Sequence, residues 1–186
     1  MNSPIWIKNL SATSPAPVRE QAYRQLLKEW QLPIYRYNRR MLYSHEDADD
    51  VTQEVFIQVS KSVDSFRHEA AFSTWLYRIA HRKCLDHLAK AKRRRIFRPN
   101  ATSESQQVHL ERLESDPWFV GDEAEKKLHA SIHSLPPRQK EVFVLRYFED
   151  MGYDEMAHIL DLSVGSLKAS YHHAVQKIKK YINLSD

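Results

Sequence analysis

Glycine is nearly missing from this 186-residue chain, which has three, and cysteine occurs once, at Cys84. So few glycines exclude a phosphate-cradling glycine-rich loop and the many tight turns of sandwiches and barrels. A lone cysteine excludes an internal disulfide framework. No run of about 18 apolar residues is present, so no membrane insertion is expected. The N-terminal stretch MNSPIWIKNLSATSPAP has no basic start followed by an apolar block, so it does not read as a secretory signal. The expectation is a cytoplasmic protein.

What is present reads as helix. The chain is 42% hydrophobic and 28% charged, enough apolar material for one ordinary domain or two small ones. Its net charge of +4 conceals a strong asymmetry. Over residues 78–98 nine Lys and Arg face one acid, whereas over 100–125 seven acids face one arginine. Mixed charge usually only solvates a helix face; a dense block of one sign is a candidate footprint for a polyanion, nucleic acid first.

Residues 1–17, with three prolines, read as a loose tail. From Val18, Tyr23, Leu26, Leu27 and Trp30 follow helical spacing; Pro33 interrupts, and Ile34, Tyr37, Met41 and Leu42 continue a second stretch. Ser44 can cap a helix whose first turns carry Glu46, Asp47, Asp49 and Asp50. Ala48, Val51, Val55, Val59 and Val63 form its buried stripe, leaving Asp50, Gln53 and Glu54 on the wet side. The next helix, opened by Ser73 or Thr74, has the apolar ladder Leu76, Ala80, Cys84 and Leu88, flanked by Trp75, Ile79 and Leu85. It runs into the basic KAKRRR and stops before Pro99. Residues 99–124 read as an acidic linker that could stretch to roughly 90 Å.

The second module begins near Glu125, with Leu128, Ile132 and Leu135 on one face. Pro137 pre-sets the first turn of a helix carrying Val142, Phe143, Leu145 and Tyr147. A short helix with Tyr153, Met156, Ala157, Ile159 and Leu160 breaks at Asp161–Leu162–Ser163. A last helix follows, with Leu167, Tyr171, Ala174, Ile178 and Tyr181/Ile182 inside. The expected fold is therefore all-α: two small helical domains, 18–98 and 125–186, joined by a flexible acidic linker, the second with a helix-turn-helix.

Two constellations suggest chemistry. Corners between helices occur in any helical bundle, but here the second helix exposes Ser166, Lys168, Ser170, His172, His173, Gln176 and Lys177, groups that suit major-groove edges and phosphates. In the first module Phe66, Phe72, Trp75 and Tyr77 alternate with Arg67, His68 and Arg78. Aromatics at helical spacing are usually core, and Trp75 is expected to be partly so. Beside a basic block they also suit splayed single-stranded bases, each stack contributing about 1–3 kcal/mol. No nucleophile motif, metalloprotease helix or glycine-rich loop appears, so neither catalysis nor a cofactor is expected. His81, Cys84 and His87, and the pair His129 and His133, have spacings a metal can use, but Cys84 lies on the apolar ladder and no metal site is assigned.

EDADDVTQEVFIQV, SFRHEAAFSTWLYRIAHRKCLDHL and SLPPRQKEVFVLRYFEDMGYDEMAHILDLSVGSLKASYHHA stand in this order along the chain. The order and spacing resemble the extracytoplasmic-function branch of bacterial sigma factors over roughly residues 18–98 and 125–182. The resemblance implies an initiation subunit with core RNA polymerase and promoter DNA, duplex and melted, as partners. Asp49, Asp50, Gln53 and Glu54 would dock on the clamp helices of the largest polymerase subunit. Phe66, Arg67, His68, Phe72, Ser73, Thr74, Trp75, Tyr77, Arg78, His81 and Arg82 would open and capture the −10 element. Ser163, Val164, Gly165, Ser166, Lys168, Ala169, Ser170, His172, His173 and Lys177 would hold the −35 duplex, the same module touching the flap of the second-largest subunit. The linker would thread the RNA exit path, and an anti-sigma factor is a candidate partner. A transcription regulator using only the helix-turn-helix is the alternative; it leaves the acidic helix and aromatic loop of the first module without a use. A protein-interaction bundle leaves the basic block unexplained.

The chain departs from the pattern it resembles at Arg82, where asparagine is common, and at Ser170, His173 and Val175, where arginines are common. Each lost phosphate contact lowers the salt slope of DNA binding by about 0.9. With His173 in place of an arginine and His172 beside it, −35 binding should be weaker at pH 8 than at pH 6. Equal affinity at both values, read by fluorescence anisotropy with His172 and His173 intact, would contradict this.

Overall fold

The computed structural model describes residues 5–66, 70–96 and 123–184. Among them there is no strand, and no helix is long and apolar enough to cross a membrane. The chain divides into two compact units, one built on the residues up to Ala89 and the other on most of the remainder. The linker expected at 99–124 falls almost wholly outside the described residues; its last two positions already belong to a helix.

The first unit holds α1 (Ile5–Lys8), α2 (Ala16–Leu42), α3 (His45–Ser62), a 3-10 turn at Val63–Ser65, and the start of α4 (Phe72–Ile96). The N-terminal segment departs from the loose tail expected there. Ile7 and Leu10 are 3% and 1% exposed, the Trp6 ring meets Phe72 edge-on at 5.6 Å, and the Ala12 N–H donates to the Asp64 carboxylate at 3.3 Å. Four helical residues are too few to show a period, so the sequence pattern hid them.

Helix α2 starts at prolines: Pro15 is the cap and Pro17 sits in the first turn, where a missing N–H leaves nothing unpaired. It ends at Tyr43, left-handed with φ 69°, whose N–H donates to the Arg39 carbonyl at 3.0 Å. Pro33 does not interrupt it. The proline removes one helical hydrogen bond, a penalty of about 3 kcal/mol. Leu26, Ile34, Tyr37 and Met41 are buried along one face on both sides of it. Each such side chain contributes about 1.5–3 kcal/mol, so burial outweighs the break.

Helix α3 follows its sequence pattern. Ser44 Oγ accepts the Asp47 N–H at 3.1 Å, and Ala48, Val51, Val55, Val59 and Val63 are all buried. Thr52 is buried beside them and satisfied: its hydroxyl donates to the Ala48 carbonyl at 2.6 Å and accepts Asn38 Nδ2 at 2.9 Å. Asn38 Oδ1 in turn accepts the Cys84 thiol at 3.2 Å. Helix α4 begins at Phe72, one residue before the expected cap, and Leu76, Ala80 and Cys84 are buried as the ladder requires. Its expected last rung, Leu88, is not: it is 39% exposed and the flanking Leu85 38%, because the helix outruns the core it packs on.

The second unit holds α5 (Glu123–His133), α6 (Pro137–Phe143), a π-helical turn at Val144–Phe148, α7 (Tyr153–Leu160) and α8 (Val164–Leu184). Pro137 takes the first turn of α6. Val142, Phe143, Val144 and Leu145 are buried, but Tyr147, read as core, is 55% exposed and stacks on Phe143 at 5.0 Å. The wider π turn rotates it outward, a local change that no 3.6-residue pattern reveals. Left-handed Asp161, φ 55°, makes the corner between α7 and α8, and Leu167, Ala174 and Ile178 anchor α8.

His81 is buried, its Nδ1 3.3 Å from Tyr37 Oη. Burial, and then the charge of Arg82, push its pKa down to about 4. An unfolded histidine titrates near 6.5, so between these values the unfolded chain binds more protons. Neutral His81 therefore supports the fold fully above about pH 6.5, and roughly 3 kcal/mol is lost as pH falls toward 4. The fall in urea midpoint from pH 7 to pH 4.5 should be markedly smaller in His81→Gln than in the native chain; an identical fall would contradict this.

Candidate nucleic-acid interface

Three surfaces carry the residues singled out in the sequence. On α3, Asp49, Asp50, Gln53 and Glu54 are all exposed, because the valine stripe turns them away from the core. Gln53 Nε2 donates to Asp49 Oδ2 at 2.9 Å, and Glu54 meets Lys83 Nζ of α4 at 3.3 Å. Glu54 is therefore partly neutralised from within the fold. Ile57, 53% exposed, lies one turn beyond Gln53 on the same face. It was missed in the sequence, although its place outside the valine stripe could have marked it. A groove of about 330 Å³ runs beside Asp49 and Thr52 between α3 and the exposed Leu27 and Leu32 of α2.

The second surface is the segment before α4 and that helix's outer face. Phe72, Thr74, Tyr77 and His81, expected at DNA, are core instead. Phe72 has Trp6, Phe66 and Trp75 around it with ring centres 5.6–5.7 Å away, and Tyr77 meets Tyr37 edge-on at 5.4 Å. The i, i+4 row through Leu76, Ala80 and Cys84 extends backward to Phe72, and Tyr77 and His81 lie beside it. Phe66, Ser73 and Trp75 remain half-exposed, Arg78 and Arg82 fully exposed. Arg67 and His68 lie outside the described residues.

The third surface is α8. Ser163 Oγ accepts the Ser166 N–H at 3.3 Å, opening the helix as its sequence suggests. Ser163, Gly165, Lys168, Ala169, His172, His173, Gln176 and Lys177 are exposed, and Val164, Ser166 and Ser170 half-exposed. Along its whole length α8 contains no Asp or Glu, so its field is of one sign. The Tyr153 ring of α7 has Lys168 Nζ at 5.7 Å and the Arg146 guanidinium at 5.5 Å. Arg146 also donates to the Met151 carbonyl at 2.8 Å, holding the approach to α7 against the π turn.

The metal spacings resolve into separate contacts: His81 faces Tyr37, Cys84 faces Asn38, and His87 Nε2 lies 3.1 Å from Asp47. Among the described residues no group of three such side chains gathers where it could hold a metal ion.

Comparison with known proteins returns matches along most of the chain. The sigma-70 region 2 family model matches residues 26–94, and the sigma-70 region 4 model matches residues 125–178. The ECF RNA polymerase sigma-E factor of Haemophilus influenzae is 31% identical over 83% of this chain and 88% of its own length. The RNA polymerase sigma-H factor of Pseudomonas aeruginosa is 30% identical over 87% and 86%. In fold, the chain is similar to the sigma factor RpoE of Bartonella quintana, solved with the anti-sigma factor NepR. The TM-score is 0.74 at 17% identity, over 89% of this chain and 99% of that one.

Gly165 carries a specific expectation. A Cβ there meets nothing within 4 Å and the backbone is not left-handed, so the fold itself does not require glycine. Gly165→Ala should keep or slightly raise thermal stability, by up to about 1 kcal/mol. If an approaching backbone uses that space, duplex DNA affinity should fall severalfold; unchanged affinity would mean that none does.

Proposed function

Because the chain belongs to the extracytoplasmic-function family of RNA polymerase sigma factors, a family of transcription initiation, we propose that it directs core polymerase to promoters by reading two DNA elements. Helix α3 docks on the clamp helices of the largest subunit through Asp49, Asp50, Gln53 and Glu54. Ile57 adds an apolar contact at the centre of that face. Phe66, Ser73, Trp75, Arg78 and Arg82, with Arg67 and His68, engage the melted −10 strand. Helix α8 lies in the major groove of the −35 duplex, and the second unit meets the flap of the second-largest subunit.

The observation that carries this reading is the pairing, in one chain, of an exposed acidic face on α3 with an acid-free outer face on α8. A free-standing regulator would use only the second. Sigma factors are not a class of catalysts, and the work of opening comes here from binding: stacked bases and paired phosphates offset the lost base pairs. Only Phe66 and Trp75 offer half-exposed rings among the described candidates, so capture rests on two aromatics rather than four. The factor acts in the bacterial cytoplasm. The Bartonella protein was solved with an anti-sigma factor, and a partner of that kind restrains this chain as well.

Transcription from a promoter library with sigma-free core polymerase tests the reading: starts at defined sites should appear only when the protein is added. Asp50→Arg is the cleaner docking variant, since Glu54 is already bridged to Lys83. It should weaken core binding about tenfold or more while leaving the melting temperature unchanged. Normal transcription by Asp50→Arg would contradict the docking face. Absence of both core binding and stimulation by the native chain would favour the free-standing regulator.

A further inference from the structure

We infer that the N-terminal segment 6–12 positions the aromatic rings that capture the −10 strand, Trp6 acting through Phe72 and the Ala12 peptide through Asp64. The inference rests on the sigma-factor reading above. It begins from where the segment is tied. Ile7 and Leu10 are buried and anchor it to the first unit. Two further contacts reach residues near the capture rings. The Trp6 ring meets Phe72, the first residue of α4, edge-on at 5.6 Å. The Ala12 N–H donates to both Asp64 carboxylate oxygens at 3.3 Å, and Asp64 lies in the 3-10 turn that ends at Phe66. One segment therefore holds the chain at Asp64 and again at Phe72, on either side of Phe66.

Phe72 is the hub of a ring cluster. It is buried, with Trp6 and Trp30 edge-on to it at 5.6 and 6.3 Å, Phe66 edge-on at 5.7 Å and Trp75 tilted at 5.6 Å. Phe66 and Trp75 also meet each other at 5.2 Å. These two are the half-exposed rings assigned to melted DNA, and both lean on Phe72. Trp6 supports Phe72 from α1, whose anchoring falls to Ile7 and Leu10; Trp6 itself is half-exposed and adds a directed edge-to-face contact. The Ala12 peptide is held from its other side as well, because Arg19 of α2 donates to its carbonyl at 3.0 Å.

Capture by stacking depends on how firmly the rings are held. A base stacks only on a ring that presents its face, and a ring ordered at the moment of binding costs affinity that a preset ring does not. Without the edge of Trp6, Phe72 can relax toward the space left, and the two rings leaning on it move with it. The second tie acts through the backbone. The Phe66 N–H donates to the Val63 carbonyl at 3.0 Å, closing the turn that contains Asp64, so a shift of Asp64 carries Phe66 along. Segment 6–12 touches no base in this account: it sets where Phe66 and Trp75 stand.

The test uses the full chain in complex with core polymerase and reads the anisotropy of a labelled single strand carrying the −10 sequence of a promoter recovered from the library. Trp6→Ala should weaken strand binding about three- to tenfold, the range of one edge-on ring contact. Trp6→Phe, which keeps a ring edge, should restore most of the loss. Asp64→Ala, at an exposed position, should shift affinity in the same direction as Trp6→Ala. In a chain already carrying Phe66→Ala/Trp75→Ala, Trp6→Ala should add nothing, because the rings it positions are gone. Core binding and −35 duplex affinity of Trp6→Ala should match the native chain. A ring that only stabilised the unit would lower the melting temperature and leave strand affinity, read well below it, at the native value; that result overturns the proposal. So does a loss of full size in the Phe66→Ala/Trp75→Ala background, which would make Trp6 a separate contact. If Trp6→Ala does not fold, Asp64→Ala decides, and native strand affinity in that variant overturns the proposal. Failure of the native chain to give site-specific transcripts is a separate result, and overturns the sigma-factor reading with this proposal.

Discussion

A buried line of polar bonds runs from the Cys84 thiol to the Asn38 carbonyl, from the Asn38 amide to Thr52, and from Thr52 to the Ala48 carbonyl. It joins α4, α2 and α3, and the placing of both charged faces of the first unit follows from it. Apolar packing tolerates small rotations, but a buried donor or acceptor left unpaired costs about 1–3 kcal/mol, so this line admits one register. Shifting α3 by one residue would turn its face by 100° and take Thr52 away from Asn38. In the observed register Asp50, Gln53 and Glu54 face outward on α3, and Arg78 and Arg82 face outward on α4. The acidic and basic faces are thus two outcomes of one packing decision.

The second unit presents its acid-free face by other means. Phe143 stacks on Tyr147 at 5.0 Å and on Tyr171 at 5.9 Å, fixing the approach of α6 to α8. Leu167, Ala174 and Ile178 bury the inner side of α8. The Tyr153 ring of α7 lies beside both Lys168 of α8 and Arg146 of the π turn. The first unit carries both charge signs, an acidic face on α3 and exposed arginines on α4. The outer face of α8 carries only cations and neutral polar groups, as suits a helix assigned to DNA alone.

Much of this was legible in advance where one strong local pattern had no competitor. The stripe of α3 with its Ser44 cap, the opening of α6 at Pro137 and the corner at Asp161–Ser163 all stand where spacing placed them. The misses share a cause. Pro33 stays inside a helix because burial on both sides exceeds a local penalty, and Ile7 and Leu10 are buried by partners far along the chain. The set expected at DNA divides between core and surface for the same reason. Phe72, Tyr77 and His81 are amphipathic or aromatic groups equally at home on a base or in a core, and only the position of α2 selects the core.

The sequence by itself determined the helices, their order in two modules, the polarity of their faces and the family, because these depend on residue type and spacing along one chain. The tertiary structure alone decided which aromatics remain available to a ligand, and that Glu54 is bridged to Lys83. Those features depend on the rotation and reach of one helix against another. That choice is made by summed burial and a few hydrogen bonds across the core, which no single stretch of sequence contains.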